Sequence, residues 1–168
     1  NVFDFTVGAN TVVSTNPAEG EVLPEVVQLT VTEPGASIFL EHIRPVEGSC
    51  STGDIGVNGT IYTNSVECSG GWEDPREYVW LLNRKAKVVT ATVGVNDEDK
   101  ADSQATVVFY GDGVELGRVN ATYASSTEVV LEVDGVLRFE MHVLSEDYDS
   151  IVLGEALLKG TRADIDTL

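Results

Sequence analysis

Thr90-Ala-Thr-Val-Gly-Val-Asn-Asp97 and Ala105-Thr-Val-Val-Phe-Tyr-Gly-Asp-Gly113 are the two stretches that decide the fold. Polar and apolar residues alternate along each, which is typical of a β-strand with one buried face. The first runs into an acidic loop and the second into a tight Gly-Asp-Gly turn. About ten such strands follow one another along the chain, at the spacing of an antiparallel β-sandwich. We therefore predict an all-β, antiparallel β-sandwich, with Phe139 and Met141 in its core.

The N-terminal residues differ from this pattern. Residues 2–7 alternate as a strand does, but residues 14–24 are polar and rich in turn-forming Pro, Gly, Ser and Asn. We expect residues 1–25 to form an arm or linker, with an added edge strand of the sandwich as one alternative. Residues 26–168 are expected to form the sandwich domain.

The charge of the chain excludes several classes of partner. A net charge of −18 with 10 basic residues argues against nucleic acids and anionic membrane surfaces, because both require clustered Lys and Arg. No run of apolar residues is long enough to insert into a membrane. Solubility and cation binding are both open as explanations of the acidity.

Two cysteines, Cys50 and Cys68, flank a segment rich in Gly, Ser, Thr and Asn. Neither has a Cys-x-x-Cys partner, and two histidines are too few for a Cys/His zinc site. We predict a disulfide between them, with two unpaired thiols as the alternative. A disulfide favours an oxidising, extracellular location, either secreted or at the cell surface.

Catalytic patterns are weak in this sequence. There is no Gly-x-Ser-x-Gly motif, and His42 and His142 lie on alternating strands where surface or hydrogen-bonded roles are usual. Carboxylates are too frequent for their spacing to identify an acid–base pair. We predict that the chain is not an enzyme.

Two acidic loops are candidate cation sites, namely Asn96-Asp-Glu-Asp-Lys-Ala-Asp102 and Glu146-Asp-Tyr-Asp149. Calcium takes six to eight oxygen ligands, but neither loop has the Gly and the terminal Glu of an EF-hand. A solvated loop is the first interpretation. A structural calcium ion bound by Asp97 and Asp99 is the second, and no cofactor is required.

An aromatic residue in a loop provides the best indication of binding. Trp72 lies in Gly70-Gly-Trp-Glu-Asp-Pro75, where no strand pattern requires a buried ring. An exposed ring there would suit the apolar face of a sugar, whereas a ring packed under the loop would be structural. Trp80 alternates with Tyr78 and is expected in the core. We predict that the Trp72 loop converges with two other segments into a weak saccharide site that contains Tyr62, Asn64, Ser65, Asn96 and Asp97.

Five segments, taken in order, resemble the NPCBM family of carbohydrate-binding modules. They are residues 38–49, the hairpin 57–65, residues 78–97 with Leu82-Asn-Arg84 and Ala91-Thr-Val-Gly-Val-Asn-Asp97, the stretch 107–116 with Gly111-Asp-Gly113, and the strand 133–141. The family's closing Trp-x-Asp-Ala motif is replaced here by Leu153-Gly-Glu-Ala156. The resemblance implies a galactose-binding-like jelly roll that belongs to a secreted or surface protein and binds a glycan.

The expected function is therefore non-catalytic, lectin-like binding of a galactose-type or other saccharide, as one module of a larger multidomain protein. The alternative is an extracellular protein-interaction or sensor domain that binds no sugar. Exposure of Trp72 and Tyr62 beside a cleft would favour the first function.

Overall fold

The chain folds into two facing antiparallel β-sheets. The computed structural model describes residue 7, residues 10–17, residue 21 and residues 27–168. The strands are β1 (Val12–Asn16), β2 (Gln28–Val31), β3 (Gly35–Phe39), β4 (Ser51–Val57), β5 (Thr60–Ser69), β6 (Arg76–Leu81), β7 (Val88–Val95), β8 (Gln104–Gly111), β9 (Val114–Thr122), β10 (Ser126–Glu132), β11 (Arg138–Leu144) and β12 (Ser150–Thr161). A short helix, α1 (Arg162–Ile165), follows β12. In the described ranges no helix has the length and apolarity needed to cross a membrane. The predicted all-β sandwich is confirmed.

The larger sheet has the order β10-β7-β12-β5-β4, and β3 joins the same edge of β12 as β5. The two strands can share that edge because β5 pairs with residues 150–153 of β12 and β3 with residues 157–161. On the opposite edge, the pairing of β12 with β7 is irregular between Gly154 and Leu157, where Glu155 has a φ of 46°. The smaller sheet has the order β6-β11-β8-β9. Sequence-distant strands are neighbours in both sheets.

Aromatic rings fill the space between the sheets. Phe139 stacks on Phe109 with ring centroids 5.9 Å apart, and Trp80 lies on the other side of Phe139 at 6.2 Å. Phe139, Met141 and Trp80 have no exposed surface, as the alternation predicted. The predicted Cys50–Cys68 disulfide is also present and anchors the segment before β4 to this core.

The N-terminal strand β1 pairs with β2 in a separate two-stranded sheet, outside the two sheets of the sandwich. It covers residues 12–16, part of which the sequence indicated as turn. Cross-strand pairing of β-branched residues with β2 accounts for the difference. The strand predicted over residues 2–7 falls almost entirely outside the described residues.

The β4–β5 hairpin turns at Asn58-Gly59, as its sequence predicts, with φ values of 51° and 73°. It then folds over the outer face of the larger sheet. An ideal Cβ on Gly94 would lie 2.2 Å from a Val57 methyl carbon, and one on Gly154 would lie 2.7 Å from the Tyr62 ring. The two glycines therefore allow the hairpin to approach β7 and β12 closely.

Candidate functional site

Three loops meet at one end of the sandwich, namely residues 70–75, 96–103 and 145–149. The N–H of Gly70 donates to the carbonyl oxygen of Asp149 at 2.9 Å. The N–H of Asn96 donates to the carbonyl oxygen of Ser150 at 3.1 Å, and the N–H of Ser150 donates to a carboxylate oxygen of Asp99 at 2.7 Å. Loop 145–149 thus connects the other two.

Two exposed aromatic side chains face each other at this end. Trp72 is 55% exposed and Tyr148 is 51% exposed, and their ring centroids lie 6.1 Å apart at an interplanar angle of 58°. The Trp72 ring is therefore exposed and is not packed under the loop. Tyr148 has a φ of 60°, which is unfavourable for a residue with a bulky side chain, and such outliers concentrate at binding sites.

A positive charge lies beside the aromatic pair. The guanidinium carbon of Arg76 is 5.5 Å from the centroid of the Tyr148 ring, within the range of a cation–π contact. Arg76 is the first residue of β6 and is paired with Val143 on β11. Its side chain is exposed to solvent. A shallow depression is formed here by Gly71, Trp72, Glu73, Asp74, Pro75, Arg76 and Tyr148. We call it the Trp72 depression.

The depression combines the groups that a saccharide requires. The rings of Trp72 and Tyr148 offer flat apolar surface to the C–H face of a sugar. Arg76 offers N–H donors to hydroxyl oxygens, and the carboxylates of Glu73 and Asp74 can accept from hydroxyl groups. All of these side chains are exposed to solvent, whereas Gly71 is buried. Because the depression is so open, it suits weak, reversible binding.

Asn96 and Asp97 make local structural contacts in the adjacent loop. Asn96 is buried, its side-chain N–H donates to the Glu67 carboxylate, and its side-chain oxygen accepts from the N–H of Glu98. A carboxylate oxygen of Asp97 accepts from the N–H of Gly59 at 2.9 Å and so holds the tip of the β4–β5 hairpin. Asn96 and one carboxylate oxygen of Asp97 are thus engaged in bonds within the protein.

Tyr62, Asn64 and Ser65 lie on the bend of the same hairpin. Ser65 is fully buried and its hydroxyl donates to the carbonyl oxygen of Tyr62, so no ligand reaches it in this structure. Asn64 has a φ of 53° and donates to the Thr63 hydroxyl. The ring of Tyr62 packs on Gly154. The residues that line the Trp72 depression do not include these three.

The acidic loops do not assemble a cation site among the described residues, where no group of three or more acidic, His or Cys side chains could hold a metal ion. Asp97 and Asp99 each accept from a backbone N–H instead. Burial, together with the nearby carboxylates of Asp149, Glu67 and Glu98, raises the pKa of Asp99, although the N–H of Ser150 opposes this. The geometry does not fit the calcium hypothesis for these two residues.

Asp149 joins the loops electrostatically. One of its carboxylate oxygens accepts from the Ser145 hydroxyl at 2.7 Å and from the N–H of Gln104 at 3.1 Å. Burial works against the charged form, but the hydroxyls of Ser103 and Ser145, the N–H of Gln104 and the charge of Lys100 prevail and lower the pKa of Asp149. The carboxylate therefore stays ionised and fixes loop 145–149 next to the start of β8.

Sequence reasoning identified Trp72 but missed Tyr148 and Arg76. Tyr148 stands within the acidic Glu146-Asp-Tyr-Asp149 loop, where an aromatic residue between carboxylates was the available signal. Arg76 begins β6 and is one strand residue among others in the sequence. Its position beside Tyr148 depends on how β6 pairs with β11, which the local sequence does not specify.

The fold and this loop arrangement agree with a family match. Residues 43–156 match the NPCBM/NEW2 domain. The chain belongs to this family. No curated protein sequence matches the chain. The NPCBM/NEW2 match covers everything from the segment before the disulfide to the bulge of β12, and it includes both aromatic residues of the Trp72 depression.

Solved structures of carbohydrate-binding modules share the fold of this NPCBM/NEW2 domain. A CBM51 module from Clostridium perfringens GH95 in complex with methyl-galactose has a TM-score of 0.61 at 17% identity, over 73% of this chain and 99% of that one. A CBM51-2 module in complex with GlcNAc, with INT domains, from Clostridium perfringens ZmpB has a TM-score of 0.62 at 12% identity, over 89% of this chain and 40% of that one. The M60 catalytic domain of ZmpB with CBM51-1 and CBM51-2 matches with a TM-score of 0.62 at 16% identity, over 84% of this chain and 17% of that one. Membership of the NPCBM/NEW2 family makes the chain a carbohydrate-binding module, and the solved structures show that it has the fold of such modules.

Proposed function

We propose that this module binds a glycan in the Trp72 depression, with one sugar ring against Trp72 and Tyr148. The observation that carries the proposal is the pair of exposed rings at 6.1 Å on two loops held together by hydrogen bonds. Among the described residues, Trp72 and Tyr148 are the exposed aromatic side chains, whereas Tyr78, Trp80, Phe109 and Phe139 are buried in the core.

Polar groups around the rings would orient the sugar. Arg76 donates hydrogen bonds, and Glu73 and Asp74 accept them, so hydroxyl groups on either side of the ring find partners. A galactoside and GlcNAc are the first ligands to test, because structurally similar modules were solved with methyl-galactose and with GlcNAc. We expect a Kd on the order of 0.1–1 mM, since a single sugar offers few atoms and well-hydrated hydroxyls.

The binding is proposed to need neither catalysis nor calcium. The side chains of the Trp72 depression lie on its rim and form no nucleophile–base pair, and the carboxylates of Asp97 and Asp99 are bonded to backbone N–H groups. Titration in the presence of EDTA should give the same Kd as titration with calcium. A loss of binding in EDTA would restore the calcium hypothesis.

The location and organisation of the chain are part of the same proposal. The disulfide supports an extracellular location, in a secreted or surface protein. We propose that residues 26–168 are the binding module and residues 1–25 an arm that leads to another part of a multidomain parent. Limited proteolysis that removes the arm and leaves the thermal midpoint of the remainder unchanged would support this division.

The decisive experiment is a titration of the 1H–15N spectrum with methyl-galactose and with GlcNAc. We expect saturable shifts of Gly71, Trp72, Arg76 and Tyr148, and we expect Trp72→Ala to abolish them without changing the thermal midpoint. Ile61→Ala removes a side chain that is 71% exposed elsewhere on the surface and serves as the matched control. Absence of shifts with these and with larger glycans at millimolar concentration would refute the proposal.

One observation favours the alternative of a protein-interaction domain. Val12, Val13 and Leu29 are 49%, 43% and 56% exposed on the β1–β2 ribbon. Exposed apolar side chains on a ribbon outside the sandwich are typical of a contact surface. If the glycan titrations fail, this ribbon is the surface to test for a protein partner.

A further inference from the structure

A second depression lies beside the Trp72 depression, at the end of the smaller sheet. It is formed by Gln104, Ala105, Thr106, Asn120, Ala121, Thr122, Leu144, Ser145 and Glu146. Its members come from the start of β8, the end of β9 and the end of β11, together with the beginning of loop 145–149. We call it the Asn120 depression.

The two depressions share a border. Loop 145–149 contributes Ser145 and Glu146 to the Asn120 depression and Tyr148 to the Trp72 depression. At the border of the two depressions, Gly71 and Leu144 form an isolated β-bridge. The N–H of Ser145 donates to the carbonyl oxygen of Gly71 there, at 2.7 Å. A ligand that leaves Trp72 along this border therefore reaches Leu144 next.

The pairing register gives the length of this path. Gly71 is bridged to Leu144, Leu144 is paired with Thr106, and Thr106 is paired with Asn120. Neighbouring strands are about 4.8 Å apart, so the row from Gly71 to Asn120 spans roughly 14 Å. That distance exceeds one sugar ring and corresponds to a short oligosaccharide.

The chemistry of the Asn120 depression also suits a sugar. The side chain of Leu144 is 38% exposed and provides an apolar floor. Asn120 accepts from the Thr106 hydroxyl at 3.2 Å through its side-chain oxygen, and its NH2 group takes no part in that bond. Within the described part of the chain, the side-chain amides of Gln104 and Asn120 donate no hydrogen bond. Amide and hydroxyl groups with unused hydrogen-bond donors or acceptors are the groups that recognise sugar hydroxyls.

Charge selects among oligosaccharides. Glu146 is the charged member of the Asn120 depression, and the chain as a whole carries a net charge of −18. A carboxylated or sulfated sugar placed there would be repelled by a like charge. A neutral sugar meets no such penalty.

We propose that the two depressions form one extended site, which binds a neutral oligosaccharide of at least two sugar residues across the ends of β11, β8 and β9. The terminal sugar lies at Trp72 and Tyr148, and the next sugars lie over Leu144 and beside Thr106 and Asn120. This inference rests on the proposed glycan binding at Trp72. It adds a second subsite and a preference for chain length.

Asp149 makes such a site rigid. Its carboxylate accepts from the N–H of Gln104 and from the Ser145 hydroxyl, and its carbonyl accepts from the N–H of Gly70. One buried residue thus holds the walls of both depressions in a constant relation. A rigid pair of subsites loses little conformational entropy when an oligosaccharide bridges them.

The test compares two series of neutral ligands by calorimetry. One is GlcNAc with its β1,4-linked dimer and trimer, and the other is methyl-galactose with a galactose disaccharide and trisaccharide. In the series that binds, we expect the trimer to bind at least about fivefold more tightly than the monomer, which is the gain from one or two added hydrogen bonds. The combined Gln104→Ala and Asn120→Ala variant should remove that gain and leave the affinity for the monomer unchanged.

Controls separate this inference from the proposed function. Gln28→Ala removes an exposed amide on β2, far along the chain from both depressions, and should retain the gain. In the unmodified protein, the side-chain NH2 resonances of Asn120 and Gln104 should shift with the trimer and not with the monomer. Equal affinities for monomer and trimer would overturn the extended site and leave binding at Trp72 intact. No binding by any ligand of either series would overturn both.

Discussion

Ser145 and Asp149 bond to each other twice across loop 145–149. The Ser145 hydroxyl donates to a carboxylate oxygen of Asp149 at 2.7 Å, and the N–H of Asp149 donates to the same hydroxyl oxygen at 3.1 Å. Both residues are buried. This pair of bonds fixes residues 146–148, so the position of the Tyr148 ring depends on an interaction that is strongest when the Asp149 carboxylate is ionised.

Acid should therefore loosen the binding end of the module. The folded pKa of Asp149 lies below its ordinary value of 3.8, so its contribution to stability is present above the unfolded pKa and is lost as pH falls through the lower folded pKa. We expect the thermal midpoint to fall below about pH 4. Asp149→Asn should lower the midpoint at pH 7 and weaken its dependence on pH in the acid range.

The pKa of Asp112 is also lowered, so this residue serves as the control for Asp149. Hydrogen bonds from the N–H groups of Arg138 and Leu137 lower the pKa of Asp112, at the other end of β8. Asp112→Asn should also reduce the acid dependence, but it should leave the resonances of Tyr148 unchanged. If Asp149→Asn kept the full acid dependence of the thermal midpoint, the attribution of that dependence to Asp149 would be wrong.

Tyr148 should show a conflict between stability and binding. Its φ of 60° is readily adopted by glycine but is unfavourable for tyrosine. We expect Tyr148→Gly to leave the thermal midpoint equal or higher, while glycan affinity falls about tenfold because half of the aromatic pair is lost. Tyr148→Phe keeps the ring and should keep the affinity. A marked loss of stability in Tyr148→Gly would show that the ring is mainly a packing element.

Gly94 should not tolerate a side chain. An added Cβ would lie 2.2 Å from a Val57 methyl carbon and 2.9 Å from the carbonyl oxygen of Ser125, so the hairpin would have to move. We expect Gly94→Ala to destabilise the fold by about 1–3 kcal/mol in urea unfolding. Gly117→Ala has a single contact at 3.0 Å, with the end of the Leu131 side chain, and should cost less. Equal costs for the two substitutions would contradict close packing of the hairpin on β7.

Asp99 should destabilise the module at neutral pH. Its folded pKa is raised by burial and by the charges of Asp149, Glu67 and Glu98, so its contribution to stability is lost as pH rises through the folded pKa. Asp99→Asn keeps an acceptor for the N–H of Ser150 and should raise the thermal midpoint at pH 7 by about 2 °C. Asp102→Asn, an exposed residue in the same loop, is the control. A lower midpoint for Asp99→Asn, or a clear rise of the wild-type midpoint with millimolar calcium, would indicate that the carboxylate has a stabilising partner.

Much of the fold could be predicted because strand alternation is a local property. The residues of 136–144 that were assigned to the core, Phe139 and Met141, are fully buried, and Asn58-Gly59 forms the turn that its sequence favours. The residues of the candidate site stay predictions, because their role depends on which partners the tertiary structure gives them. Trp72 could be identified because it lies in a loop, where no strand pattern requires a buried ring. Ser65 and Asn96 form their hydrogen bonds within the protein, which the sequence does not reveal. A polar residue has the same letter in the sequence whether its partner is a ligand or a neighbouring strand.

The sequence by itself determined the all-β class, the hairpin turns and the resemblance to the NPCBM family, because each depends on residue types at short spacing. It left the pairing of Cys50 and Cys68 open until the structure showed the disulfide. The tertiary structure alone decided that Tyr148 faces Trp72, that Arg76 lies against Tyr148, and that Gln104, Asn120 and Leu144 border one depression. These residues come from loops and strands far apart in the chain. They meet because β11 pairs with both β6 and β8, and the register of those pairs is set by burial of the core face.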